Sequence, residues 1–315
     1  MSRYLIQPRP QLQTQPVALL IPGIGIPYSI SIERLRDNPV FRANCARAGI
    51  DDFRNAELDR LKKYDHFVRD NLNNQKLSYV VNCAMCDLYQ RRGIIPQLVV
   101  GYSMGIYSAL YTAGYYSFET GLSIVEKAYY LIEEYCSLKP RKYRMALILG
   151  LTENNIRDLL FKEVGEGVNI AVYNGKRSFV IAGEREKVDF CSTKALELGA
   201  FGVKPILTEH PYHTAFLKDI KKLFSQFLNA LSYSVPVSHV LSLIDAKVIA
   251  KDEVINVIVR MIYTPLHFDA VVDTLVRDHN ISICYETGPA QSMKKLVRYI
   301  NRRVKVHSFE EEEVQ

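Results

Sequence analysis

With 315 residues, 48% of them hydrophobic and 23% charged, the chain can bury a sizeable core and has the composition of a soluble globular protein rather than a disordered one. No apolar run approaches the roughly 20 residues of a membrane-crossing helix, and Met1-Ser-Arg-Tyr-Leu-Ile-Gln-Pro8 lacks the charged-then-apolar pattern of a secretory signal, so a cytoplasmic protein is expected. The formal charge of +6 stands despite four glutamates at 310–313, which leaves the body more basic still and suited to an acidic partner, while no recognition fold or aromatic-basic interleaving points to nucleic acid.

Residues 1–15 are polar and proline-bearing and read as an extended tail. Pro16-Val-Ala-Leu-Leu-Ile-Pro22 is a buried strand by its unbroken apolar run, and Gly23-Ile24-Gly25 after it is a turn able to aim backbone N–H groups into a site. Residues 30–92 carry a largely helical pattern, broken near Asn38-Pro39 and over 71–75. Cys83 and Cys86 in that region form a C-x-x-C with no second pair and no nearby histidine, which reads as helix packing rather than a metal or redox site. The six cysteines are scattered, as expected where thiols stay reduced.

Gln97-Leu-Val-Val100 is a second buried strand, running into Gly101-Tyr-Ser-Met-Gly105 and then into Ile106-Tyr-Ser-Ala-Leu110 with helical spacing and small residues. A strand that turns sharply into a helix needs glycine on both sides of the turn residue, and a serine held there projects its hydroxyl over a helix N-terminus. Five letters alone are a weak signal, but strand, turn and helix all fall where a nucleophile elbow requires them, which singles out Ser103. A helix follows over 118–135. Residues 143–207 then read as strand 145–149, helix 153–163, strand 168–173, strand 178–182, helix 185–198 and strand 202–206, the β-α-β-β-α-β order of a ferredoxin-like unit inserted in a larger domain.

A helix over 214–231, a strand near 240–243, a further helical run and a strand at 281–285 complete the larger domain. The C-terminal helix carries a basic face, with Lys294, Arg298 and Arg302 at i, i+4 spacing, that suits either solvent or a docking partner.

A serine hydroxyl needs a base within hydrogen-bond reach. Of seven histidines, His66 and His279 sit among charged residues, His239 and His267 at apolar strand or helix starts, and His307 near the tail. His210 and His213 share the loop that returns from the inserted unit, and both remain candidates. His213 is favoured because it opens the helix starting at Thr214. No Asp or Glu between serine and histidine follows a convincing strand end, so a dyad with the histidine oriented by a backbone carbonyl fits better than a triad.

Together these segments resemble the malonyl-CoA:acyl carrier protein transacylase family, the acyltransferases of fatty acid and polyketide synthesis. Leu20-Ile-Pro-Gly-Ile-Gly25 resembles F-P-G-Q-G, residues 101–110 resemble G-H-S-L-G-E-Y-S-A-L, Asn174 sits where a strand-end asparagine is expected, and Pro211-Tyr-His213 resembles P-F-H. Thr264-Pro265 and Tyr285-Glu-Thr-Gly-Pro289 match two further motifs, so the likeness spans most of the chain. The resemblance implies an α/β-hydrolase-like large domain over 16–140 and 208–308, a ferredoxin-like subdomain over 141–207, and tails at 1–15 and 309–315.

It also implies a mechanism. Ser103 would attack the thioester of an acyl-CoA or a phosphopantetheinyl carrier protein, His213 would take its proton, and the acyl-serine would pass to a second thiol. The oxyanion would meet the backbone N–H groups of Ile24 and Met104, and the Met261 carbonyl would orient His213. No permanently bound cofactor and no metal are implied. Members that take malonyl groups pair its carboxylate with an arginine, and the corresponding position here is Ala128. Lys127 beside it points about 100° away around a helix. Tyr102 and Ile106 replace polar residues next to the elbow. These three positions, 102, 106 and 128, are expected to shape the acyl pocket and to favour an uncharged acyl group. An acidic acyl carrier protein is the expected partner, docking on the face of Lys294, Arg298 and Arg302. The alternatives are an acyl hydrolase on the same scaffold and a non-catalytic binding relative.

Overall fold

The computed structural model describes residues 15–26, 28–50 and 69–308. The tail before residue 15, the helical expectation over 51–68 with His66, and the acidic tail at 309–315 lie outside the described residues. In chain order the large part contributes strand β1 (Val17–Ile21), helices α1 (Ser29–Leu35), α2 (Pro39–Arg47) and α3 (Leu72–Arg91), strand β2 (Leu98–Gly101), and helices α4 (Gly105–Thr112) and α5 (Phe118–Ser137). The inserted part follows with β3 (Tyr143–Leu149), α6 (Glu153–Asp158), β4 (Val168–Gly175), β5 (Ser178–Glu184), α7 (Arg185–Glu197) and β6 (Gly202–Ile206). The chain then returns through α8 (Lys221–Asn229), β7 (His239–Leu241), α9 (Val254–Tyr263), β8 (Leu266–His267), α10 (Phe268–Arg277), β9 (Ile283–Glu286), α11 (Ser292–Ile300) and β10 (Lys305–Ser308).

The first sheet is parallel, in the order β10-β9-β1-β2-β7. Helices cover both faces of such a sheet, which is why β1 and β2 read as unbroken apolar runs and are buried at every position. The register sets Ile21 beside Gly101 and Leu20 beside Glu286. The turns that leave β1, β2 and β9 therefore converge at the carboxyl edge of the sheet, where open α/β sheets form their crevices. The two glycines of the elbow permit that convergence. A methyl group on Gly105 would stand 2.4 Å from the Ile21 carbonyl oxygen, and one on Gly101 would stand 2.4 Å from the Ile106 Cα, so only glycine lets α4 pack this close to β1 and β2.

The second sheet has the order β6-β3-β5-β4-β8, with its first four strands antiparallel. That is the strand order of the ferredoxin-like unit expected from the sequence. Its two faces serve different cores. On β3, Met145 joins the large core while Ala146 and Ile148 pack with Ile156, Val188 and Cys191 in a smaller one beneath α6 and α7. The alternation follows from the pleat, which sends successive side chains to opposite faces.

Several features depart from the sequence expectation. The fifth strand of this sheet, β8, comes from the returning chain and pairs parallel to β4. It follows Pro265, and the extended backbone of Thr264 (φ −114°, ψ 137°) is what a following proline favours. Beyond the C-terminal helix the chain adds an edge strand, β10, that the sequence pattern does not declare. The expected helix over 214–231 begins instead as a 3-10 turn, Ala215–Ile220, before α8. Cys83 and Cys86 are buried within α3, and burial pushes the Cys86 thiol up to about 12. No helix among the described residues is long and apolar enough to cross a membrane.

Candidate active site

Ser103 stands at the tip of the turn between β2 and α4 with φ of 52°, a left-handed backbone that an L-residue adopts at a cost of about 1–2 kcal/mol. The surrounding hydrogen bonds enforce it. Tyr102 N–H donates to the Ile21 carbonyl at 2.8 Å, and the Tyr102 and Ser103 carbonyls accept from the N–H groups of Gly105 (2.9 Å) and Ile106 (3.1 Å). The hydroxyl is thereby held over the N-terminus of α4, where the helix dipole favours negative charge.

His213 faces it. Ser103 Oγ lies 2.8 Å from His213 Nε2, and His213 Nδ1 lies 2.5 Å from the carbonyl oxygen of Met261. A carbonyl only accepts, so Nδ1 carries the ring proton and Nε2 presents a lone pair to the serine hydroxyl. The backbone N–H of His213 donates to the Ile262 carbonyl at 2.7 Å. Both carbonyls belong to the last turn of α9, where a helix leaves its carbonyls without internal partners. His213 thus satisfies two of them from a left-handed conformation (φ 61°). It is fixed by a helix end rather than by opening a helix, as the sequence had suggested.

Burial pulls the His213 imidazole down to about 4, and the bond to Met261 recovers only part of that loss. The group is neutral in the native protein from there upward, while the unfolded chain protonates near 6.5. Native stability from this residue is therefore complete above 6.5 and declines as pH falls toward 4, by roughly 3 kcal/mol in all. Reaction of Ser103 with a serine-directed fluorophosphonate should proceed at a constant rate from about pH 8 down to about pH 5 and fall about tenfold per unit below about pH 4. A fall centred near the ordinary imidazole value would contradict the buried, neutral base.

His210 does not reach Ser103. Its Nδ1 lies 3.1 Å from Asp70 Oδ2 and its Nε2 lies 2.7 Å from Glu133 Oε2. Burial works against its charge, but the two carboxylates outweigh burial and hold its pKa above the ordinary value. Asp70 also accepts from Thr208 (2.8 Å), Tyr212 (2.8 Å) and Gln75 (2.8 Å). This network ties α3, α5 and the returning loop together behind His213. Nothing in the sequence marked Asp70 or Glu133.

A pocket with about 460 Å3 of space free of protein atoms, part of it open to solvent, begins at Ser103 and His213. Ile24, Met104, Ile106, Ala128 and Met261 line it, as do Gln75, Tyr107, Tyr129, Ile132, Tyr212 and Ile262, which the sequence reading had not picked out as pocket residues. The i+4 spacing of Ile132 from Ala128 on α5 is the signal that could have found one of them. The N–H groups of Ile24 and Met104 enter no backbone hydrogen bond among the described residues. Gly23 keeps that corner open, since a methyl group there would stand 2.8 Å from the Tyr102 carbonyl oxygen.

Tyr102 is absent from the pocket wall. Its hydroxyl donates to Asn174 Oδ1 at 2.9 Å and its ring meets Phe268 edge to face, because its neighbour Ser103 projects the other way at the turn. Among the described residues no lysine or arginine lines the pocket. Lys127 turns away and places its ammonium 5.9 Å from the centre of the Phe227 ring. Among the described residues no cluster of His, Cys, Asp or Glu is arranged to hold a metal ion.

The basic face is shorter than expected. Lys294 and Arg298 lie on α11, but the helix stops at Ile300, and extended Asn301 (φ −141°) leads toward β10, so Arg302 falls in the turn beyond the helix.

No protein-family model matches the chain. Its curated relatives include the malonyl CoA-acyl carrier protein transacylase of Bacillus subtilis, 27% identical over 236 residues and 74% of either chain. The enzyme of the same name from Staphylococcus aureus is 28% identical over 223 residues, 70% of this chain and 71% of the relative. Similar solved structures include an acyl-carrier-protein S-malonyltransferase from Burkholderia pseudomallei, with a TM-score of 0.80 at 23% identity over 93% of this chain and 96% of that one. A malonyl-transacylase in complex with its type II polyketide synthase acyl-carrier protein gives a TM-score of 0.79 at 24% identity with the same coverage. The homologues and structural neighbours of this chain are thus malonyl-CoA:acyl carrier protein transacylases, and its two-sheet mixed α/β fold is theirs.

Proposed function

We propose that this chain, whose homologues are acyltransferases, moves an uncharged acyl group from an acyl thioester of coenzyme A or carrier protein through an ester on Ser103 to a carrier-protein thiol, as a step of fatty acid or polyketide-type synthesis in the cytoplasm. The single observation that carries the reading is the hydrogen-bonded pair Ser103 and His213 at the mouth of a pocket that no cation among the described residues lines.

The reaction follows from the groups in place. Ser103 Oγ attacks the thioester carbonyl carbon while its proton passes to His213 Nε2. The negative charge on the carbonyl oxygen is met by the N–H groups of Ile24 and Met104 and by the N-terminus of α4. The imidazolium is stabilised by the Met261 carbonyl, which accepts from Nδ1 and takes the part an aspartate plays in a triad, and by the negative end of the α9 dipole. Collapse breaks the carbon–sulfur bond, and the departing thiolate takes the proton from His213. In the second half the acceptor thiol gives its proton to His213, its sulfur attacks the ester carbon, and Ser103 regains the proton as it leaves. The basic side chains Lys294, Arg298 and Arg302 are the proposed docking face for an acidic carrier protein.

Incubation with butyryl-CoA, with and without a phosphopantetheinylated acyl carrier protein, tests the reading. Butyryl-carrier should appear in proportion to enzyme. Release of free butyrate at a rate indifferent to the carrier would instead assign hydrolysis and overturn the transfer step.

A further inference from the structure

The polar groups of the pocket wall are arranged in an unusual way. Gln75, buried on α3, spends its amide nitrogen on Asp70 Oδ1 (2.8 Å) and on the Tyr212 hydroxyl oxygen (3.1 Å), so what its side chain has left for the cavity is the amide oxygen, an acceptor. The Tyr212 hydroxyl in turn spends its own proton on Asp70 Oδ2. Asp70 therefore collects the hydrogen-bond donors of this wall, held in its charged state by His210, and leaves the wall accepting. Tyr107, on α4, lines the same cavity; its backbone carbonyl accepts from the Tyr116 hydroxyl, while its own hydroxyl makes no hydrogen bond to any described residue. That hydroxyl opens onto the cavity, so it meets water when the pocket is empty and loses that water when an acyl chain fills the pocket, unless the chain itself supplies a partner.

A bare hydrocarbon chain would leave both groups unsatisfied, and a carboxylate would meet the accepting oxygen of Gln75 with no cation to offset its charge. An alcohol satisfies both at once, donating to Gln75 Oε1 and accepting from Tyr107. Tyr107 stands in the first turn of α4, just beyond the elbow, and helical side chains lean back toward the preceding turn, which directs its ring toward the Ser103 end of the cavity that both line. We infer that the acyl group this enzyme carries bears a hydroxyl near the thioester, read by Gln75 Oε1 and the Tyr107 phenol. The inference rests on the acyl-Ser103 reading above.

The test compares 3-hydroxybutyryl-CoA with butyryl-CoA as acyl donors, by kcat/KM for acylation of the wild-type protein and of Tyr107→Phe and Gln75→Leu. Tyr107→Phe removes only a hydroxyl that makes no bond to the described residues, so it keeps the test valid if Gln75→Leu, which also cuts the ties to Asp70 and Tyr212, fails to fold. The wild type should favour the hydroxylated donor at least about tenfold, the worth of a satisfied buried hydrogen bond, and the ratio should fall toward one in Tyr107→Phe. Equal use of the two donors by the wild type, or an undiminished ratio in Tyr107→Phe, overturns the inference while leaving acyl transfer intact. Failure of any thioester to acylate Ser103 would instead remove the reading on which it stands.

Discussion

Replacing Ser103 by alanine should lower the formation of acyl-carrier from butyryl-CoA by at least about 10^3-fold, with no comparable loss of folding stability. The two effects separate because the residue plays two unrelated physical parts. Chemically its oxygen is the atom that receives the acyl group, and nothing else in the pocket can take its place: the wall offers a buried amide, phenols and a neutral imidazole. Structurally Ser103 is strained, with φ of 52°. Alanine inherits that strain and gives up only the bond to His213, whereas Ser103→Gly relieves it and should be the more stable of the two by about 1 kcal/mol. Thermal unfolding of both variants alongside the transfer assay checks the pair of claims. A variant that unfolded outright would contradict the claim about stability, and one that folded and kept more than a tenth of the activity would mean that the hydroxyl is not the acyl acceptor.

The second large effect concerns charge. Malonyl-CoA should acylate the wild-type protein at least about 100-fold more slowly than butyryl-CoA, although the relatives carry malonyl in their names. A carboxylate brought into this pocket loses its water and gains no cation, a penalty of several kcal/mol by general estimates. The neighbouring cation cannot rescue it, since Lys127 lies on another face of α5 and is engaged over Phe227. Ala128 is buried and lines the cavity. Ala128→Arg should therefore raise malonyl acylation more than tenfold and depress butyryl acylation, because a planar guanidinium pairs a carboxylate bidentately and stands uncompensated beside a hydrocarbon. Competition of the two thioesters for one protein sample, read by mass, gives the ratio directly. A wild type that prefers malonyl would show that water or rearrangement supplies what the side chains do not.

Much of this site could be read from the amino-acid order, for reasons that differ residue by residue. Ser103 was legible because its conformation demands glycines at fixed offsets and a strand and helix with distinct periodicities on either side. The ferredoxin-like unit was legible because six elements in a row alternate in a pattern few sheets accommodate. The choice between His210 and His213 was harder. Both sit in one loop, and what separates them is the end of α9, almost fifty residues further on, and a pair of carboxylates on other elements. Strands β8 and β10 are two and four residues long, too short for alternation to declare itself. Tyr102 adjoins the nucleophile in sequence yet packs away from the pocket wall, against Asn174 and Phe268, because successive side chains diverge at the turn. Gln75 and Tyr129 come to the pocket only through the packing of α3 and α5, and no local pattern records that packing.

The claim on which all the rest depends is that an acyl group comes to reside on the hydroxyl at position 103. Mixing the protein with butyryl-CoA, quenching in acid and locating the modified peptide by mass spectrometry tests it most directly. The account predicts one butyryl group per chain, on the peptide containing Ser103, absent from Ser103→Ala and removed on addition of carrier protein. A protein that stays unmodified, or one acylated at a cysteine or lysine with Ser103 bare, would contradict it.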